Sequence, residues 1–199
     1  MSFAARERQE LVDTFVQLGP QAPTLCEGWT AHHLAAHLLI RERSPLAAAG
    51  MFIPALAGLT ERAMQRQLER PFMDVVKQWG RGPVGVWRLL DGRANVAEHF
   101  IHHEDLRRAN GLMSRRLSTA DQRELYAALR TLKLMYRASS CRVELCPTGF
   151  VPISTGSVSA EDKVLIRGAV GELLLYTYQR PAEGLDFVGD ATKVVRSSL

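Results

Sequence analysis

The chain has 199 residues, 46% of them hydrophobic, and a formal net charge of +4 at neutral pH. That is enough apolar material for a substantial core in one domain or one and a half, while the basic residues are interleaved with acidic ones and form no stripe for nucleic acid. No apolar run approaches the ~18 residues of a membrane span, and the opening Met1-Ser2-Phe3-Ala4-Ala5-Arg6 lacks the apolar core of a secretory signal. A cytoplasmic protein with neither membrane nor nucleic-acid partners is therefore expected.

In chain order, residues Phe3 to Leu18 carry Leu11, Phe15 and Leu18 at helical spacing with Arg6, Gln9, Glu10 and Asp13 opposite, an amphipathic helix closed by Gly19-Pro20. A loop through Pro23, Cys26 and Gly28 leads to Thr30, a good N-cap. The second helix runs to about Arg43, where Ser44-Pro45 breaks it. Its apolar residues Leu34, Leu38, Leu39 and Ile40 point to several sides, so burial round most of its circumference is expected. From Leu46 to Leu59 small apolar residues are interrupted by Gly50, Pro54 and Gly58, which reads as a broken helix, a lid or irregular core packing. Helices follow over about Thr60 to Glu69 and Met73 to Trp79, before the turn signals Gly80, Gly82 and Pro83. Trp79, Trp87, Leu89 and Leu90 are core candidates, and a further helix covers about Arg93 to Ala109, stopped by Asn110-Gly111.

Arg115-Arg116 reads as a solvated loop pair. Ser118-Thr119-Ala120-Asp121 has capping-box spacing, with Asp in place of Glu, and opens a helix to about Arg137 with Leu125, Leu129, Leu132 and Tyr136 in one stripe. After Ser139-Ser140 the texture changes. Arg142 to Cys146 and Lys163 to Gly168 read as strands, and Val151 to Ile153 as an edge. Gly171 to Tyr176 begins a helix ending near Arg180-Pro181, Leu185 to Gly189 is a last strand, and Ala191 to Ser197 a closing helix. A helical domain over residues 1–138 and a small α/β segment over 139–199 are expected. The three cysteines, Cys26, Cys141 and Cys146, are too few for a disulfide framework and form no CxxC motif, so they read as small buried hydrophobes.

All six histidines fall in Ala31–Leu38 and Glu98–Asp105, and imidazole is the commonest metal ligand in proteins. On a helical wheel Arg93, Glu104, Arg107 and Arg108 share one arc, the expected solvated side, and His103 turns toward it. Glu98 and His102, one turn apart, point the other way, and His99 lies at the flank. His37, on a helix expected to be buried, is an interior histidine that needs a partner. Any single histidine is more simply a hydrogen-bonded core residue. The inward pair Glu98 and His102, together with His37 on another buried helix, is more simply a metal site.

The segment Leu25-Cys26-x-Gly28-Trp29-Thr30, followed by Leu34-Ala35-Ala36-His37-Leu38 and Arg41-Glu42-Arg43-x-Pro45, resembles the opening of the actinobacterial DinB-like proteins related to mycothiol-dependent maleylpyruvate isomerase. Glu98-x-x-x-His102-x-x-Asp105-Leu106 looks like that family's second metal motif. The tail, with Gly171-Glu172-Leu173, Arg180 and Val188-Gly189-Asp190, is similar to its C-terminal segment. The resemblance implies an α+β, mainly α fold, an up-and-down four-helix bundle with a small C-terminal α/β segment. It also implies a metal centre of His37, Glu98 and His102. One departure is His33, which stands where the family carries an acidic residue.

Two imidazoles and a carboxylate suit zinc first, with nickel, cobalt, iron or manganese as alternatives, and three ligands leave a position open for water or substrate. The resemblance favours a metal-dependent thiol transferase or isomerase, with mycothiol as co-substrate and an electrophilic small molecule as its target. A hydrolase using metal-bound water and a non-enzymatic metal-binding or ligand-sensing protein are the alternatives. Asp105, one turn past His102, is placed to accept an imidazole N–H or to pair with Arg108. Arg180, more simply a surface guanidinium beside Pro181, is the candidate for an anionic substrate group, and His33, His99 and His103 are the lesser candidates for the metal.

Overall fold

The computed structural model describes residues 1–83, 95–112 and 115–197. Trp87, Leu89, Leu90 and Arg93, assigned above to core and helix, lie outside the described residues. The chain divides into two compact units, Met1–Arg115 and Arg116–Leu199, taken one at a time.

The first unit contains α1 (Phe3–Leu18), α2 (Ala31–Arg43), the short α3 (Pro45–Ala49), α4 (Ala57–Leu68), α5 (Phe72–Gly80) and α6 (Val96–Ala109), with a 3₁₀ turn at Pro54–Leu56. Each helix begins and ends on a recognisable signal. Ser2 caps α1 by accepting from the Ala5 amide, and Gly19, at φ 81°, returns its amide to the Phe15 carbonyl. Ser44-Pro45 ends α2 and starts α3, as the proline requires. Leu11 and Phe15 of α1, Leu34, Ala35, Leu38 and Leu39 of α2, Phe72, Val75, Val76 and Trp79 of α5, and Leu106 of α6 enclose one apolar core. Phe15 meets Phe72 and Trp79 edge-on, at 5.9 and 6.2 Å between ring centroids, the orientation that aromatic quadrupoles favour.

The second unit contains α7 (Thr119–Thr131), a 3₁₀ segment (Leu132–Tyr136), β1 (Arg142–Pro147), β2 (Ile153–Gly156), β3 (Lys163–Gly168), α8 (Val170–Thr177) and β4 (Asp186–Val188). The sheet order is β2-β1-β3-β4, with β1 antiparallel to β2, parallel to β3, and β3 antiparallel to β4. Val143, Leu145, Val164 and Ile166 lie on the buried face, the alternation that a half-covered sheet imposes. Ser118 and Asp121 close a reciprocal capping box on α7. Gly156 is at φ 72°, and a Cβ there would come within 2.5 Å of the Cys141 carbonyl oxygen, so only glycine fits.

Three expectations change. The helix that opens at Ser118, placed above with residues 1–138, belongs to the second unit, where it packs on α8. Its last turn tightens to 3₁₀ before Arg137. The expected closing helix shrinks to a turn at Ala191–Lys193. Beyond it the backbone bonds elsewhere, Val195 N–H to Ser139 Oγ and Ser197 N–H to the Met135 carbonyl, so no helical ladder forms.

Candidate metal centre

The centre is built by α2, α6 and the loop joining α1 to α2. That loop is stiffened by its own bonds: Thr24 Oγ1 donates to the Trp29 carbonyl and accepts from the Cys26 amide, and Ala31 N–H reaches the Ala22 carbonyl. The Leu25 amide donates to the Asp105 carbonyl at 3.1 Å, fastening the loop to α6. Trp29 thereby lies against His37, with 5.1 Å between ring centroids.

His37, Glu98 and His102 come together here. A ligating atom of each lies within 4.8 Å of one from each of the others, and the two imidazole rings meet edge-on at 5.1 Å. His37 Nε2 is buried and has no hydrogen-bond partner. Burial lowers the His37 pKa from 6.5 to about 3, helped by the positive charges of His102 and Arg41 and opposed by Glu98. Its ring is thus held neutral, with Nε2 engaged in no hydrogen bond.

His102 is held at both edges. Nδ1 donates to Asp105 Oδ2 at 3.1 Å, and Nε2 lies 3.1 Å from Glu98 Oε2. Burial works against its charged form, but the bonds to Asp105, Cys26 and Glu98 prevail and raise its pKa well above 6.5. Burial likewise works against the Glu98 carboxylate, yet the His102 bond, the His102 charge and Arg41 lower its pKa. Arg41, one turn beyond His37, places Nε 3.3 Å from Glu98 Oε1 and bonds Asn95 Oδ1 at the start of α6. The two shifts make His102 and Glu98 a charged imidazolium–carboxylate pair across 3.1 Å.

These donors fit a divalent ion. A buried imidazole nitrogen without a partner is costly unless something uses its lone pair, and two imidazoles with one carboxylate form a borderline donor set. Asp105 fixes the outer edge of His102, the carboxylate–histidine arrangement of ligating imidazoles. Arg108 pairs with Glu104 at 2.8 Å.

The remaining histidines are engaged differently. His33 Nδ1 accepts from the Thr30 amide at 3.3 Å, replacing the acidic capping residue. His99 lies 2.8 Å from Glu42 Oε1 and 2.9 Å from the Ala4 carbonyl. His103 lies 2.8 Å from Glu7 Oε1 and 2.9 Å from Thr14 Oγ1. His32 Nε2 is also buried without a partner, but no metal-ligating group gathers round it among the described residues.

The wheel reading of α6 needs correction on its other face. Glu104 and His103 are buried, because α1 brings Glu7 and Thr14 against them and Arg115 closes the cluster, 2.6 Å from Glu7 and 3.0 Å from Glu104. Arg115 is thus the hub of a buried network and not a solvated loop residue. Cys26 is half-buried, with Sγ 3.2 Å from Asp105 Oδ2, rather than a small core hydrophobe. Arg180 lies in the second unit, where its guanidinium donates to the Tyr178 carbonyl. Sequence reasoning gave Arg41 and Cys26 no part in the site, since only the folded loop and helix bring them to it.

No helix among the described residues is long and apolar enough to cross a membrane. No protein-family model matches the chain, and no curated protein matches it significantly. Two solved structures do. The crystal structure of the mycothiol-dependent maleylpyruvate isomerase aligns over 100% of this chain and 99% of its own, at 17% identity and a TM-score of 0.52. A histidine-to-alanine mutant of that enzyme aligns over the same shares, at 16% identity and 0.51. The chain therefore has the DinB-like fold of the mycothiol-dependent maleylpyruvate isomerase, α+β and mainly helical, the fold that the resemblance in its sequence implies.

Proposed function

We propose that this protein holds a divalent metal ion, zinc first, on His37, Glu98 and His102. There it uses a low-molecular-weight thiol of the mycothiol type as nucleophile toward an electrophilic small molecule, as an isomerase or thiol transferase. The observation that carries the reading is His37 Nε2, buried and without a hydrogen-bond partner beside Glu98 and His102. The fold shared with an enzyme whose name states mycothiol dependence supports the choice of thiol. A metal held by these residues would keep a coordinated thiol deprotonated at neutral pH.

The chain's own residues have definite tasks in this reading. Asp105 accepts the Nδ1 proton of His102 and so turns the Nε2 lone pair toward His37 and Glu98. Arg41 fixes the second oxygen of Glu98 and keeps it ionised. Trp29 packs its indole against the His37 ring. Metal analysis of the purified protein followed by titration with mycothiol tests the proposal. Thiol binding that requires the metal and releases a proton for each thiol bound is expected. Absence of metal, or thiol binding without proton release, overturns it, and ester turnover without thiol points to a hydrolase instead.

A further inference from the structure

His102 presents two edges, and each faces a set of potential ligands. The Nε2 edge faces Glu98 and His37. At the other, Cys26, Asp105 and His102 each offer a ligating atom within 4.8 Å of those of the other two. Asp105 is fully buried, and its Oδ2 sits 3.1 Å from His102 Nδ1 and 3.2 Å from Cys26 Sγ. The arrangement is rigid, because His102 and Asp105 are one turn apart on α6 and the Cys26 loop is tied to that turn through Leu25 N–H and the Asp105 carbonyl.

The two donor sets differ in kind. His37, Glu98 and His102 offer nitrogen and oxygen, whereas the second set adds a sulfur, which selects softer ions. A neutral imidazole has one proton and one lone pair. When Nδ1 keeps the proton, bonded to Asp105, the lone pair is at Nε2. When the proton moves to Nε2, bonded to Glu98, the lone pair turns to Cys26 and Asp105. The ring can therefore serve one edge at a time.

We propose that the Cys26 edge is a second, alternative cation position that takes thiophilic divalent ions, cadmium-like rather than magnesium- or manganese-like. Ion entry displaces the thiol proton of Cys26 and the Nδ1 proton of His102 to solvent, and forms bonds to sulfur, nitrogen and the Asp105 carboxylate. Occupation of this edge withdraws His102 from the proposed zinc ligands, so a soft ion competes with zinc without needing His37 or Glu98. The inference shares His102 with the proposed function but does not depend on His37.

Titration of the full-length protein with cadmium, followed by the ultraviolet sulfur-to-cadmium charge-transfer band, tests it. The wild-type protein should show the band and saturate at one cadmium per chain. Cys26→Ser should lose the band, and His37→Ala should keep it. Cadmium bound without a sulfur band, or a band that survives Cys26→Ser or disappears in His37→Ala, overturns the second position. Zinc binding that His37→Ala abolishes leaves the proposed function standing in any of these cases. Cys26→Ser preserves a hydroxyl donor to Asp105, so loss of the band in a variant with unchanged circular dichroism reports the sulfur and not the fold.

Discussion

Helix α6 carries two clusters of histidine and carboxylate that look alike in sequence and differ in how far they are satisfied. On one side His103 is bonded at both ring nitrogens by Glu7 and Thr14, and Arg115 bridges Glu7, Glu10 and Glu104. On the other side Glu98 and His102 meet His37, whose Nε2 has no partner. Metal-ligand geometry exists on both, since Glu7, Glu10 and His103 also gather within the same limit. Each cluster also has a guanidinium on its carboxylates, Arg115 in the first and Arg41 on Glu98 in the second, so what separates them is the buried ring nitrogen of His37 that has no partner. Proximity of ligating atoms nominates a site, and an unmet bonding capacity chooses between nominees.

The largest effect should come from breaking the satisfied side. Arg115→Ala takes a guanidinium from two buried carboxylates, leaving Glu7 to His103 and Glu104 to Arg108, and should cost about 3 kcal/mol in urea unfolding, while metal bound per folded chain stays unchanged. On the unsatisfied side, Asp105→Asn should weaken zinc binding roughly 10–100-fold in chelator competition, because an amide can present its NH2 to His102 Nδ1 and so no longer fixes the tautomer as an acceptor-only carboxylate does.

A smaller and opposite effect is expected from His37→Leu. Replacing a buried nitrogen without a partner should raise the stability of the metal-free protein by about 1 kcal/mol and abolish zinc binding. A fall in stability on this substitution would mean that the lone pair is used within the chain.

The pH dependence of the metal-free protein sharpens the same contrast. His37 has a folded value of about 3 against an ordinary 6.5, so its contribution is complete above pH 6.5 and is lost as pH falls toward 3. Glu7 and Glu42 are both held below 4.5; burial opposes this, but for Glu7 the bonds to His103 and Arg115, and for Glu42 the His99 bond and the Arg8 charge, prevail. Their stabilisation is present above 4.5 and lost below it. His102 is raised, so its share is complete below 6.5 and fades as pH rises through its folded value. Urea midpoints should decline from pH 6.5 downward, and His37→Leu should make the part above 4.5 shallower, with burial of His103 and His32, also held below 6.5, supplying the rest, while leaving the steeper acid limb. The smallest effect is expected at His33. His33→Ala should cost no more than about 1 kcal/mol, as a lost cap does, with zinc affinity unaltered.

Much of this was legible in the sequence, for reasons that are local. The first helix and the strand Lys163–Gly168 begin and end where their periodicity and turn residues place them. The pairing of Glu98 with His102 follows from one turn of helix. What was hidden depends on contacts distant in sequence. The charged arc of α6 reads as solvated because a wheel cannot see that α1 supplies a second charged surface, with Glu7 and Thr14, to meet it. Arg115 is uninformative beside Arg116 until the fold returns it to Glu7. Cys26 and Arg41 join the site only because the twelve-residue loop between α1 and α2 and one further turn of α2 bring them there, and neither carries a local pattern that announces it.

The position of Trp29 has a practical outcome. An indole 5.1 Å from the His37 ring is an intrinsic optical gauge of whatever occupies the space beside it. Paramagnetic cobalt or nickel should extinguish its emission where zinc does not, so the arrival of an ion can be timed in the unlabelled protein, and Trp29→Phe would silence that signal while the other tryptophans continue to glow.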